Sequence, residues 1–371
     1  MKRILVDCYF FENEYQGSRT YIKNLYSRIF DIESKKAPQE RNYYFLTTYV
    51  PKILENEFKS YEFVKIIKHK FKNRYLRLFF EFPLMILNNK IDVAHFQYKA
   101  PPIKFCKYIL TIHDVLFLDN LNYTGLSYYI KNMLAIKLSF KISDYILTVS
   151  EYSKNQMISK FSNNKQIHVI ENAVDDKFYN FQPTVNKNKF LSEKNVRNYF
   201  LYVSRFEPRK NHVSLLKAFV DGKFYKQYDL ILIGYQNIRC KKFDDLLLTL
   251  NMDIRRKIKI DKSGVQEHEL LHYIKHSSVF IYPSLFEGFG IPPLEAAALG
   301  SKVICSNMSA MSNFNFFTPY HIEPKAKNLI ISLNKIIVDR DKIRIKKIKQ
   351  SLKERYNWNN SAIKLFELIN S

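Results

Sequence analysis

Short apolar runs recur along the whole chain, separated by amphipathic stretches, and this rhythm predicts alternating strands and helices. Residues 3–10, 43–49, 63–68, 92–97, 108–113, 145–150 and 167–170 read as strands rich in β-branched and aromatic side chains. Helical periodicity falls between them at 18–30, 76–88, 126–142 and 151–161, the last opened by Ser150 as a capping residue. The second half repeats the rhythm, with strands at 200–204, 229–234, 258–261, 279–283 and 302–306. Strands that are apolar throughout, alternating with helices, imply parallel sheets covered on both faces. The strip 175–198 is polar, rich in Asn and Lys and without period, so it reads as a connection. The expectation is an α/β chain of two Rossmann-like doubly wound domains, 1–180 and 199–359, joined by a linker at 181–198. A last amphipathic helix, 360–371, is expected to pack back onto the first domain.

Composition changes this picture little. A chain of 371 residues that is 46% hydrophobic can fill two substantial cores. The four cysteines, Cys8, Cys106, Cys240 and Cys305, follow no metal-ligand spacing and read as reduced, packed thiols of a cytoplasmic protein. The opening Met1-Lys-Arg-Ile-Leu-Val is broken by Asp7, Glu12 and Glu14, so it reads as a first strand and not a signal peptide. No apolar run approaches the ~20 residues of a membrane helix, which leaves a soluble or peripheral protein as the expectation.

Charge adds more. The net charge is +24, and the abundance of Lys beside Ile, Asn, Tyr and Phe fits a compositional habit as well as a function. One strip is sharper: Lys65, Lys68, Lys70, Lys72, Arg74 and Arg77 are six cations interleaved with aromatics and free of acids. Such a strip suits anionic headgroups on the inner face of the cytoplasmic membrane, or the diphosphate of a lipid-linked acceptor. Nucleic acid is not expected as a partner, since no helix-turn-helix, zinc-finger or RNP pattern accompanies the charge. The basic run 340–349 reads as the solvated face of a helix.

Candidate chemistry concentrates in Ser284-Leu-Phe-Glu287-Gly288-Phe289-Gly290-Ile291-Pro292-Pro-Leu-Glu295. The strand 279–283 ends at a Gly-rich turn, and the proline pair suits the first turn of a helix running to 299. Strand, turn and helix N-terminus together make an anion site. A carboxylate beside a bound pyrophosphate would be repelled by it, so Glu287 and Glu295 are expected to accept hydrogen bonds from neutral sugar hydroxyls. Upstream, Arg205, Arg209 and Lys210 follow the strand 200–204 in a polar turn, three cations in six residues. Arg engages oxygens as a fork and Lys as a point charge, which suits a phosphate group.

The Glu287–Glu295 segment resembles the E-x7-E signature of the retaining, GT-B-fold glycosyltransferases of family four, also called group 1. The resemblance implies two domains facing across a cleft. It implies that Glu287 contacts the donor sugar, Glu295 holds the nucleotide ribose, and Arg205 and Lys210 flank the donor diphosphate. It further implies donor contacts from Gly288, Phe289, Gly290 and Ile291, from Gly234 at a strand end, and from the backbone around Val265. In the first domain, Gly17 follows the first strand as the family's glycine-containing loop does. His113 in Thr111-Ile-His-Asp matches the family's His-Asp element and would touch the donor sugar or the acceptor. The chain departs from the pattern at 310–318, which is short and Asn- and Phe-rich where the family has a Pro-Glu-Val and a Gly-Asp-Ala-Ala run.

The implied reaction is metal-independent and cofactor-free, with the departing diphosphate stabilised by cations and helping to take the acceptor proton. The nucleotide-sugar is substrate. Wording shared with bacterial polysaccharide mannosyltransferases points to mannose from GDP-mannose, delivered to a growing glycan or an undecaprenyl-diphosphate-linked acceptor. A UDP-sugar donor, a phosphorylase or epimerase of the same fold, and a non-catalytic glycan-binding protein are the competing readings.

Overall fold

The structure is a computed structural model that describes all residues except 13–16, 117–125, 162–164 and 237. The chain divides into two compact units, Met1–Ala173 with Trp358–Ser371, and Val174–Asn357.

The first unit is built on a seven-stranded sheet in the order β3-β2-β1-β4-β5-β6-β7, with every pairing parallel. The strands are β1 Arg3–Asp7, β2 Tyr43–Thr48, β3 Val64–Lys68, β4 Val93–Gln97, β5 Lys107–Thr111, β6 Tyr145–Thr148 and β7 Ile167–Val169. Chain order runs outward from β1 through β2 to β3, then crosses back to β4 on the other side of β1. That reversal makes β1 and β4 the switch point of the sheet, where the crevice beyond the strand ends forms. β4 is buried along its whole length although it carries His95 and Gln97. Their polar atoms are satisfied inside the sheet. Tyr26 Oη meets His95 Nδ1 at 2.8 Å, and His95 Nε2 meets Thr111 Oγ1 at 2.7 Å.

The helix expected at 76–88 is a composite: a turn at Arg74–Leu76, a π-helical stretch Arg77–Glu81 and an α-helix Phe82–Asn88. Its buried Leu78, Phe82 and Ile86 join Ile136 and Phe140 of the helix Leu126–Ile142 in one core. The last helix, Trp358–Asn370, packs against Gly17–Ser34, with the Trp358 ring edge-on to Tyr21 at 6.2 Å.

The second unit has a six-stranded parallel sheet in the order β10-β9-β8-β11-β12-β13. Its strands are β8 Tyr199–Val203, β9 Asp229–Ile233, β10 Ile258–Asp261, β11 Val279–Tyr282, β12 Val303–Ser306 and β13 His321–Ile322. Here the switch point lies between β8 and β11. The strip 175–198 is not bare linker: it holds the helices Asp176–Asn180 and Lys187–Glu193. Asp175 and Asn186 cap them, each side chain accepting from a backbone N–H of the first turn. Buried Phe178 and Phe190 tie them to this unit. The aberrant segment after β12 folds as two 3-10 turns, Ser309–Asn313 and Asn315–Phe317, and leads to the two-residue β13, an element with too few residues to show a period.

Candidate functional site

The turns after β8 and β11 are sewn together across the switch point of the second unit. Pro208 opens a single 3-10 turn, Pro208–Lys210, and Asn211 closes it in the left-handed region at φ 58°. From there the Asn211 amide donates to the carbonyls of Pro283 at 3.1 Å and Pro324 at 2.8 Å. Leu285 N donates to Arg209 O at 2.9 Å, and Tyr202 Oη to Lys210 O at 2.7 Å. This bracing turns Arg209 and Lys210 toward Glu287, 78 and 77 positions away in sequence.

Glu287 is 8% exposed and Lys210 6%, so the two charges face each other out of water. Lys210 Nζ donates to Oε1 at 2.5 Å, Tyr282 Oη donates to the same oxygen at 2.9 Å, and Arg209 Nη1 donates to Oε2 at 3.2 Å. Burial alone would raise the Glu287 pKa. The charges of Lys210 and Arg209 and the Lys210 hydrogen bond outweigh it and hold the carboxyl at about 2. Burial is also the leading influence on Lys210, whose pKa is lowered. The depressed Glu287 pKa keeps that carboxylate ionised at neutral pH. A hydrogen bond from the Ser284 side chain also favours the ionised form, so the carboxylate is held by four side chains. The backbone is fixed as well: Glu287 N donates to Ser309 Oγ at 2.9 Å.

The cations are arranged differently from the expected pair. Lys210 is committed to Glu287, and Arg209, counted in the basic turn but given no role, is its second partner. Arg205 is 44% exposed and pairs through Nε with Glu207 at 3.1 Å, so it is the member of the turn open to an incoming anion. Glu207 also holds Arg209, at 2.8 Å. Only the 3-10 turn decides which cation faces inward, and a run of basic letters does not show that.

Gly290 takes φ 104° immediately before the helix Ile291–Ala298. A Cβ there would stand 2.7 Å from Met311 Cγ, so glycine is demanded twice, by the backbone and by the neighbour. Glu295, on that helix, is half-buried, and its carboxyl forms no hydrogen bond or ion pair among the described residues. Burial pushes its pKa up to about 7; Lys177 opposes, while Glu267 and Asp175 add to the rise. Phe289 is a core residue, its ring edge-on to Phe314 and Tyr356. Ile291 is half-buried. Gly234 ends β9 where a Cβ would stand 2.0 Å from Ser204 O, so its role is the close crossing of two strand ends. Val265 follows a turn in which Asp261 accepts from the backbone of Ser263 and Gly264 at 2.8 and 3.0 Å.

The first unit holds the remaining candidates. His113 is buried beyond the end of β5, its Nε2 donating to Gln97 Oε1 at 2.8 Å. Burial lowers its pKa to about 3, so the imidazole is neutral. Gly17 opens its helix with open space where a Cβ would be, so packing does not require glycine there; the preceding Gln16 lies outside the described residues. The basic strip splits. Lys68, Lys70 and Lys72 are exposed and Arg74 half-buried, but Arg77 is 1% exposed, which corrects its expected place on a charged surface. Its guanidinium donates to Tyr49 Oη and to the carbonyls of Phe71 and Lys72, and lies 4.4 Å from the Tyr9 ring centroid. The π-helical turn brings it inward as a structural pillar.

Comparison with known proteins gives consistent relatives. Residues 185–355 match the family described as Glycosyl transferases group 1, and residues 41–178 match Glycosyltransferase Family 4. The chain is 28% identical over 234 residues to the O-antigen chain mannosyltransferase B of Escherichia coli, covering 59% of each. It is 31% identical over 180 residues to the O-antigen chain mannosyltransferase RfbU of Salmonella typhimurium, covering 47% of this chain and 45% of that one. These matches thus span about half the length of the curated relatives. Among solved structures, a sucrose-phosphate synthase from Thermosynechococcus elongatus superposes with a TM-score of 0.76 at 16% identity, covering 100% of this chain and 98% of that one.

Proposed function

The chain belongs to the group 1 glycosyltransferases of the GT-B fold, and from that premise we propose that it transfers a hexose, mannose from GDP-mannose, to a glycan or lipid-linked acceptor with retention of anomeric configuration. The observation that carries the reading is the buried Glu287, locked by Lys210, Arg209 and Tyr282 at the strand ends where the sheet reverses. Held by these side chains, its carboxylate is fixed in orientation to accept a hydroxyl. That is the geometry of a group that positions a donor sugar.

In this reading Arg205 meets the diphosphate directly, and Lys210 and Arg209 add positive potential beneath it as the leaving group gains charge. No metal is required for that role. Glu295, once ionised, accepts from the ribose hydroxyls. With its charge already paired by Lys210 and Arg209, Glu287 serves positioning and not nucleophilic attack, so the acceptor reacts on the donor face that the diphosphate leaves. The choice of mannose, and of surface polysaccharide synthesis as its setting, is supported by the likeness to the two O-antigen mannosyltransferases named above.

We place the protein in the cytoplasm, peripheral to the inner face of the membrane. Exposed Lys68, Lys70 and Lys72 lie beside a stretch that leaves Phe79, Phe80, Leu84 and Leu87 more than half exposed. Cations and apolar side chains on one stretch favour an anionic interface. No helix among the described residues is long and apolar enough to cross a membrane.

The test is calorimetric titration of GDP, UDP and GMP, followed by transfer assays with GDP-mannose and UDP-hexoses. GDP should bind more tightly than UDP, and Arg205→Gln should weaken GDP far more than GMP. If no nucleoside diphosphate binds or raises the melting temperature, the transferase reading is wrong.

A further inference from the structure

The switch point of the first unit carries cations that the proposed donor chemistry does not use. Asp7 ends β1 and Gln97 ends β4, the two strands between which the sheet reverses. Arg74 and Lys99 converge on the Gln97 carbonyl, Arg74 through Nη2 at 3.0 Å and Lys99 through its backbone N–H at 2.7 Å. Between them, Tyr98 is held at φ 61°, a left-handed conformation that a bulky side chain rarely adopts and that commonly marks a functional turn.

Lys99 is 7% exposed, and its amine donates to Asn132 Oδ1 at 2.8 Å while passing 5.9 Å from the Tyr75 ring. Among the described residues it meets no carboxylate. Burial, with Arg74's charge adding to it, lowers its pKa to about 8, so the amine remains mostly charged at neutral pH. Asp7 faces Arg74 and is itself buried, its pKa raised first of all by that burial. Asp7 thus stands against Arg74 and Arg77, while the charge of Arg74 bears on Lys99. A desolvated ammonium with only an amide for a partner is costly unless an anion completes it.

We propose that Arg74 and Lys99, with Tyr75 and Asn132, form an anion subsite for a phosphate or diphosphate group borne by the acceptor. The identification of the ligand as acceptor rests on the transferase reading above; the subsite does not. An Arg fork and a Lys point charge on one crevice match adjacent phosphate oxygens. The exposed apolar stretch Phe79 to Leu87 continues the chain from Arg74, which suits a phosphate carried on a lipid, although a soluble phosphorylated acceptor offers the same group.

The experiment titrates inorganic pyrophosphate into the full-length protein and its Lys99→Met, Arg74→Gln, Lys99→Arg and Arg205→Gln variants, with folding checked by circular dichroism. Wild type should show two binding events. Lys99→Met and Arg74→Gln should each weaken one by about tenfold or more, as expected for loss of a hydrogen bond to a charged group, while leaving GDP binding unchanged. Lys99→Arg should retain the event, and Arg205→Gln should spare it while weakening the other. Unchanged pyrophosphate binding in folded Lys99→Met and Arg74→Gln overturns the subsite. A Lys99-dependent event in a protein that binds no GDP keeps the subsite and rejects the donor reading. Co-sedimentation with phosphatidylglycerol and phosphatidylcholine vesicles separates the sources. Weaker phosphatidylglycerol binding in Lys99→Met assigns a lipid headgroup; weaker pyrophosphate binding alone assigns a soluble phosphate, and both keep the proposal.

Discussion

Replacing Glu287 by Gln keeps the shape of the side chain and removes its charge, leaving Lys210 and Arg209 facing a neutral amide out of water. Two routes give the cost. Breaking a buried ion pair by neutralising one partner costs about 3–5 kcal/mol. Independently, a carboxyl held at about 2 instead of 4.5 corresponds to about 3 kcal/mol of preferential stabilisation of the ionised form. The second unit spans Val174–Asn357, and a domain of that size loses about 2–4 °C of melting temperature per kcal/mol. Glu287→Gln should therefore lower the melting of this unit by about 6–20 °C at pH 7, read by scanning calorimetry. The sign of the pH dependence follows from the depressed pKa. The stabilisation is complete above the unfolded value of 4.5 and is lost as pH falls toward the folded value of about 2. The gap between wild type and variant should close across that window. A double variant with Lys210→Met should cost less than the sum of the two single changes, because neither charge is then left alone. A Glu287→Gln protein that melts with wild type at pH 7 would refute the claim that this carboxylate is buried against its cations.

The other predictions use the same unit and the exposed stretch of the first. Glu295 has a raised folded pKa, so between 4.5 and about 7 the native state holds more protons than the unfolded one, and its contribution to stability falls as pH rises. Glu295→Gln should melt higher than wild type at pH 8 yet bind GDP more weakly, and calorimetry at pH 6 and pH 8 should show that wild-type affinity rises with pH while the variant's does not. Gly290→Ala must adopt φ 104° and meet Met311, so it should lose about 1–3 kcal/mol in denaturant titration; adding Met311→Ala should recover the steric part only. Phe79→Ser with Phe80→Ser should reduce co-sedimentation with phosphatidylglycerol vesicles without changing GDP binding, and unchanged vesicle binding would remove the membrane role from this stretch.

Strand positions were legible in the sequence because parallel strands buried on both faces announce themselves as apolar runs, whatever their partners. What failed was short or locally capped. The two residues of β13 cannot display a period, and the strip 175–198 looked formless because Asp175 and Asn186 impose helix by capping and not by an apolar stripe. The site divides along the same line. The Glu287–Gly290–Glu295 spacing marked a strand end, a turn and a helix start, since those are local events. Partnership is not local: Lys210 reaches Glu287 across 77 positions, and the choice among Arg205, Arg209 and Lys210 depends on one 3-10 turn and a left-handed Asn211. Arg77 shows the same limit from the other side. Lys68, Lys70 and Lys72 of its strip are exposed, whereas Arg77 is enclosed because a π-helical turn aims it between Tyr9 and Tyr49. Lys99 stood outside every motif, and only the reversal of the sheet between β1 and β4 brings it beside Arg74. Charge in a sequence therefore locates where an anion could be met, and the fold alone decides which charges are spent on the protein and which are left for the ligand.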